Sequence, residues 1–186
     1  MSGKASNDSL RTEGVTSWLR ARREEMASLI AELVAIPTEN PPGTNYRACA
    51  ELLETRIREL NLDCTRVEPP GSRNETGEAI CLLASFGAGE RSLYFHGHYD
   101  VVPAQSPEQF RPFRKEHFLF GRGSGDMKGG IVAMLYAILA VRECGPQLNG
   151  KLCLTLVPDE ETGESAARHG WQPKDCSGKT DAPCKL

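Results

Sequence analysis

Across residues 18–36, apolar Leu19, Met26, Leu29, Ile30 and Leu33 recur at helical spacing between charged residues, and Pro37 supplies a stop. The next segment, ENPPG at 39–43, reads as a rigid turn. A second amphipathic helix is expected to begin near Asn45, with Cys49, Leu52, Leu53, Ile57 and Leu60 on one face. The period then shortens. Residues 62–67 predict a short strand, 79–86 form a solid apolar run, and 93–97 follow the turn GAGE, so the last two read as neighbouring strands joined by a tight turn. A loop rich in Phe, Arg and Gly precedes 129–144, which has the length and composition of a helix ended by Gly145 and Pro146. Residues 151–157 predict one more strand. Strands separated by a helix of this length imply an α/β fold, a mostly parallel sheet flanked by helices.

Composition narrows the class without changing that picture. The chain has 186 residues, with 22 Lys and Arg against 25 Asp and Glu and a net charge of -3. This balance suits a soluble globular protein with no nucleic-acid partner. The longest apolar run, 131–141, has 11 residues, against the roughly 20 that a membrane span needs, so no membrane partner is expected. The first residues lack the apolar core of a secretory signal. Seven cysteines, odd in number and with no CxxC pair, read as reduced thiols of a cytoplasmic protein. Residues 1–15 are expected to be a flexible N-terminus. Residues 165–186 contain no Val, Ile, Met or Phe and are expected to be disordered, with Trp171 able to dock locally.

Three clusters sit where strands should end. In HGHYDVVP, 96–103, extended backbone puts His96, His98 and Asp100 on one face, and a carboxylate two residues from a His holds the second ring nitrogen and fixes the tautomer. His96 is expected to be structural. In GRGSGDMKGG, 121–130, glycines permit tight turns and Asp126 stands at a loop-to-helix junction. A phosphate loop fits poorly, because the glycine order is wrong and the central acid repels phosphate. Lys128 is accordingly expected to be structural or on the surface. In PDEETG, 158–163, consecutive carboxylates Asp159, Glu160 and Glu161 would alone be a solvated turn. At the carboxyl end of an α/β strand they meet the usual binding crevice, where one His and several carboxylates suit a divalent metal with a spare carboxylate as base.

HxDxVP at 98–103, GRGxxDMKGG at 121–130 and EETG at 160–163, with LVAIPTENPPG at 33–43, resemble the zinc-dependent exopeptidase and deacylase family of glutamate carboxypeptidase, aminoacylase, acetylornithine deacetylase and succinyl-diaminopimelate desuccinylase. The resemblance covers residues 18–164. It implies a zinc-exopeptidase-like fold, with His98 a ligand of one metal, Asp126 the bridge between two, Glu161 a ligand of the second, and Asp100 orienting His98. Glu160 would be the general base that activates water against an amide carbonyl, and a cis peptide would follow Asp126. The implied cofactor is a pair of Zn2+ ions, with Co2+ or Mn2+ suited to the same ligands. The implied substrates are small N-acyl amino acids or peptides.

In that family each metal takes three protein ligands, two of which lie beyond the EE pair, and a further domain mediates dimerisation. Here 25 residues follow Glu161 and carry no matching motif. Residues 16–164 therefore resemble the N-terminal part of an incomplete catalytic domain, and weak or partial metal occupancy is expected. Two readings follow. One is an amide hydrolase whose remaining part is absent from these 186 residues. The other is an inactive fragment that binds metal weakly.

Overall fold

The computed structural model describes residues 3–68, 73–74 and 77–162. Residues 163–186 lie outside that set, and with them the predicted tail and Trp171.

The amphipathic stretch expected at 18–36 is two helices, α1 (Gly3–Ala21) and α2 (Arg23–Val34). The chain turns at Arg22, where φ is -106 and ψ is 12 and the guanidinium lies 3.7 Å from the centre of the Trp18 ring. Apolar spacing survives such a bend, so periodicity alone hides it. Helix α3 (Tyr46–Glu59) buries Cys49, Leu53 and Ile57, the expected face. The strands are β1 (Asp63–Val67), β2 (Arg73–Asn74), β3 (Gly77–Glu78), β4 (Cys81–Ala88), β5 (Ser92–His98), β6 (Phe113–Lys115), β7 (Phe118–Phe120) and β8 (Gly150–Val157), with α4 (Lys128–Cys144) between β7 and β8.

The α/β class holds, while the described sheet corrects its expected direction. Its order is β1-β4-β8-β5, and only β5 and β8 are parallel; β1–β4 and β4–β8 are antiparallel. The apolar runs of β4 and β5 are not paired neighbours either. Helix α4 carries the chain from β5 back to a parallel β8, as a parallel pair requires, and β8 enters the gap between β4 and β5. The turn between those strands must then pass over the start of β8. Gly87, at φ +91, would place a Cβ 2.5 Å from Gly150 O, and Gly89, at φ +139, one 2.9 Å from Gly150 N, so both positions need glycine. The Lys151 amide donates to Arg91 O at 2.7 Å across this crossing.

Alternation along the strands makes two clusters. Leu82, Ala84, Leu154 and Leu156 pack with Leu53 and Ile57 of α3 and with Ile131, Leu135 and Ile138 of α4, whereas Cys81 and Val157 meet Val67. Residues 152–157 of β8 are all buried, which marks it as an inner strand and brings its C-terminal end beside that of β5. Cys49, Cys64, Cys81, Cys144 and Cys153 are free thiols, as expected; Cys176 and Cys184 are outside the described residues. No helix among the described residues is long and apolar enough to cross a membrane.

Candidate metal centre

The parallel pair aims two loops at one place. His98 ends β5 opposite Val157, the last residue of β8, and the Tyr99 amide then donates to Val157 O at 3.0 Å. The HGHYD and PDEET segments therefore leave the sheet side by side. His98 is buried, and its Nδ1 lies 3.2 Å from Asp100 Oδ1. A proton held there leaves Nε2 facing Asp126 Oδ1 at 3.3 Å and Glu160 Oε2 at 3.8 Å. One ligand atom each from His98, Glu160 and Glu161 falls within a mutual 4.8 Å. The geometry thus brings His98, Asp126, Glu160 and Glu161 together and seats Asp100 behind the imidazole. It groups Glu160 with the other carboxylates as closely as Glu161.

The electrostatics suit a cation. Burial alone would depress His98, but its hydrogen bond to Asp100 and the charges of Asp100, Glu160 and Glu161 raise its pKa to about 9. Burial and the carboxylates of Asp100, Asp126 and Glu160 push the Glu161 pKa upward against the pull of His98. A divalent cation relieves that repulsion, and one imidazole with three carboxylates is a borderline-hard donor set for zinc, cobalt or manganese. The residues present fit such an ion.

Asp100 differs from the others, being fully buried. Burial raises its pKa, yet donation from His98, Asn40 Nδ2 at 2.9 Å and the Glu161 amide at 3.0 Å brings it below the usual value. Asn40, within the ENPPG segment, was not legible as a site residue. That segment carries two cis peptides, Asn40–Pro41 and Pro41–Pro42, and is tied to the loop after β5 by Asn40 N to Val101 O and Val101 N to Thr38 O, each 2.9 Å. Asn40 Nδ2 also reaches Thr162 Oγ1 at 3.1 Å, joining all three segments. An Asn beside prolines reads locally as a turn residue, and only the fold reveals its partner.

Asp126 projects from its loop with 83% of its side chain exposed, followed by the expected cis peptide to Met127. Lys128 is structural and wholly buried: its ammonium donates to Leu33 O and Ile36 O, each at 2.8 Å, fixing the end of α2 to the Asp126 loop. Burial lowers its pKa. His96 is exposed, unlike His98. Two three-residue strands, β6 and β7, form a hairpin where a loop was expected.

A buried imidazole and converging carboxylates thus stand at the ends of a parallel strand pair in an α/β fold, a donor set suited to a divalent metal. A model described as peptidase family M20/M25/M40 matches residues 94–178. The chain is 32% identical over 149 residues to N-formyl-4-amino-5-aminomethyl-2-methylpyrimidine deformylase of Bacillus subtilis, covering 77% of this chain and 34% of that one. It is 34% identical over 140 residues to succinyl-diaminopimelate desuccinylase of Paracidovorax citrulli, covering 72% and 35%. Human carnosine dipeptidase 1 shares the fold with a TM-score of 0.69 at 22% identity, over 84% of this chain and 36% of that one. The chain is thus similar to peptidase family M20/M25/M40 and spans about a third of the length of the curated relatives it matches.

Proposed function

We propose that residues 16–164 are the N-terminal part of the catalytic domain of a divalent-metal hydrolase, with zinc the first choice of ion, that cleaves amide bonds of N-acyl amino acids or small peptides. The observation that carries this reading is the convergence of His98, Asp126, Glu160 and Glu161 on one point, with Asp100 locking the imidazole. The relatives are named as a deformylase, a desuccinylase and a dipeptidase, which fits an amide substrate.

His98 Nε2 and the carboxylates of Asp126 and Glu161 would hold the metal. A bound divalent cation would polarise the amide carbonyl and acidify water. Glu160, with half of its side chain exposed, accepts the proton of the attacking water as the new C–O bond forms, then delivers it to the nitrogen as the C–N bond breaks. Asp100 stays ionised and keeps the His98 proton on Nδ1. Free thiols at all five described cysteines fit a reducing, cytoplasmic setting.

A second reading concerns the 186 residues by themselves. Among the described residues the site offers one His and three carboxylates, fewer than two three-ligand sites and a free base require. This stretch alone is therefore expected to bind metal weakly and to turn nothing over. The test is an assay against N-formyl, N-acetyl and N-succinyl amino acids and dipeptides in buffers containing zinc, cobalt or manganese. No turnover is expected from the 186 residues, whereas a longer polypeptide containing them should be active and should lose activity in Glu160→Gln with its metal retained. Full activity of that Glu160→Gln enzyme would overturn the role of Glu160, and turnover by the 186-residue chain would overturn its inactivity.

A further inference from the structure

A cleft of about 590 Å³ opens beside the metal centre and reaches Asp126 and Glu161. The rest of its lining has a different chemistry, which the hydrolytic reading does not use. Phe113 and Phe120 are directly paired across the β6–β7 hairpin, their rings stacked 4.9 Å apart and 9° from parallel, and both line the cleft. They remain 57% and 41% exposed. Among the described residues these two large rings stand open to water beside a concavity, as a contact surface does.

Arg111 and Arg122 line the same cleft. Arg122 is loosely engaged: Nη2 meets Gln109 Oε1 at 3.4 Å, and Nε is buried with no hydrogen-bond partner among the described residues. An unmet buried donor carries a desolvation cost that an incoming acceptor removes. Arg111 is exposed and forms no ion pair among the described residues. Glu108 also lines the cleft, but its carboxylate accepts from the Ser106 side chain and from its own backbone amide. Guanidinium groups match a planar carboxylate in charge and geometry, and the phenyl faces match an apolar body.

We propose that this cleft is an acyl-group subsite for a carboxylate carried on an apolar or aromatic body, with Arg111 and Arg122 on the carboxylate and the Phe113–Phe120 stack along the body. Calling the occupant an acyl group rests on the hydrolase reading; the binding itself does not. Without metal, Asp126, Glu160 and Glu161 repel anions, so a carboxylate that binds the metal-free chain must do so at the arginine end.

The test titrates 3-phenylpropionate into the 186-residue chain in EDTA, followed by amide NMR. Saturable shifts are expected at residues 121–123 and at Phe113 and Phe120. The neutral 3-phenylpropionamide should bind about tenfold more weakly, and Arg111→Gln and Arg122→Gln should each weaken the acid by about tenfold, as loss of a charge-assisted hydrogen bond predicts. Arg111 is exposed, so its variant carries the test should Arg122→Gln fail to fold. Equal binding of acid and amide, or acid binding unchanged in Arg111→Gln, would overturn the subsite. Zinc titration of the same chain without EDTA keeps the two ideas apart. Zinc binding with no phenylpropionate binding overturns the subsite alone, while phenylpropionate binding with no zinc binding supports the subsite and overturns the metal reading.

Discussion

Asn40 Nδ2 donates to Asp100 Oδ2 at 2.9 Å across 60 residues of sequence, and Asp100 in turn holds His98 Nδ1. The turn after α2 thus sets the orientation of a ring at the end of β5. Asn40→Ala leaves one buried carboxylate oxygen short of a donor. Metal affinity should fall about 10- to 100-fold, the usual effect of losing such a supporting contact. Competition with a chelating dye measures it, and unchanged affinity would separate Asn40 from the centre.

Lys128→Met should destabilise the fold by about 1–3 kcal/mol, because the carbonyls of Leu33 and Ile36 lose a shared buried donor. The check is a lower urea midpoint with an unchanged slope. A rise in stability would mean that removing the buried charge outweighs the two lost hydrogen bonds.

Gly123→Ala tests the loop that presents Asp126. Gly123 has φ +81, and a Cβ there would stand 2.5 Å from Val101 Cγ1, one residue from Asp100. The left-handed backbone alone costs a side chain about 1–2 kcal/mol, and the clash adds to it. Both a lower urea midpoint and weaker zinc binding are expected, since Val101 cannot move without disturbing the loop after β5.

Three thiols set an alkaline limit. Burial raises Cys49 and Cys64 to about 11 and Cys81 to about 12, from an ordinary 9.0. The folded pKa lies above the unfolded one, so the stabilisation is complete below pH 9.0 and is lost as pH rises towards 11–12, where the unfolded thiols have ionised first. Each of the two buried thiols, Cys49 and Cys81, contributes a slope of up to about 1.4 kcal/mol per pH unit in that window, and the half-buried Cys64 contributes less because solvent screens it. Urea midpoints in EDTA between pH 8 and 10.5 should fall accordingly, and less steeply in Cys81→Ala.

Much of the fold was legible because its elements are strongly periodic or wholly apolar. The face of α3, the strand ending at Val157 and the long α4 all follow from local spacing. The position of β8 between β4 and β5 was not, since the short link from Ala88 to Ser92 looks like a hairpin and only Gly87 and Gly89 hint at a crossing. The hairpin of Phe113 and Phe120 was hidden because three-residue strands leave no periodic signal. At the site, His98, Asp126, Glu160 and Glu161 stand in motifs at element ends, so their meeting was foreseeable. Asn40 acts through space and was not.

The most direct measurement is calorimetric titration of zinc into the 186-residue chain, set beside His98→Ala, Asp126→Ala and Glu161→Ala. Saturable but weak binding is expected, abolished by His98→Ala and strongly reduced by each carboxylate substitution. Binding that is unchanged in His98→Ala would contradict a metal centre built on these residues.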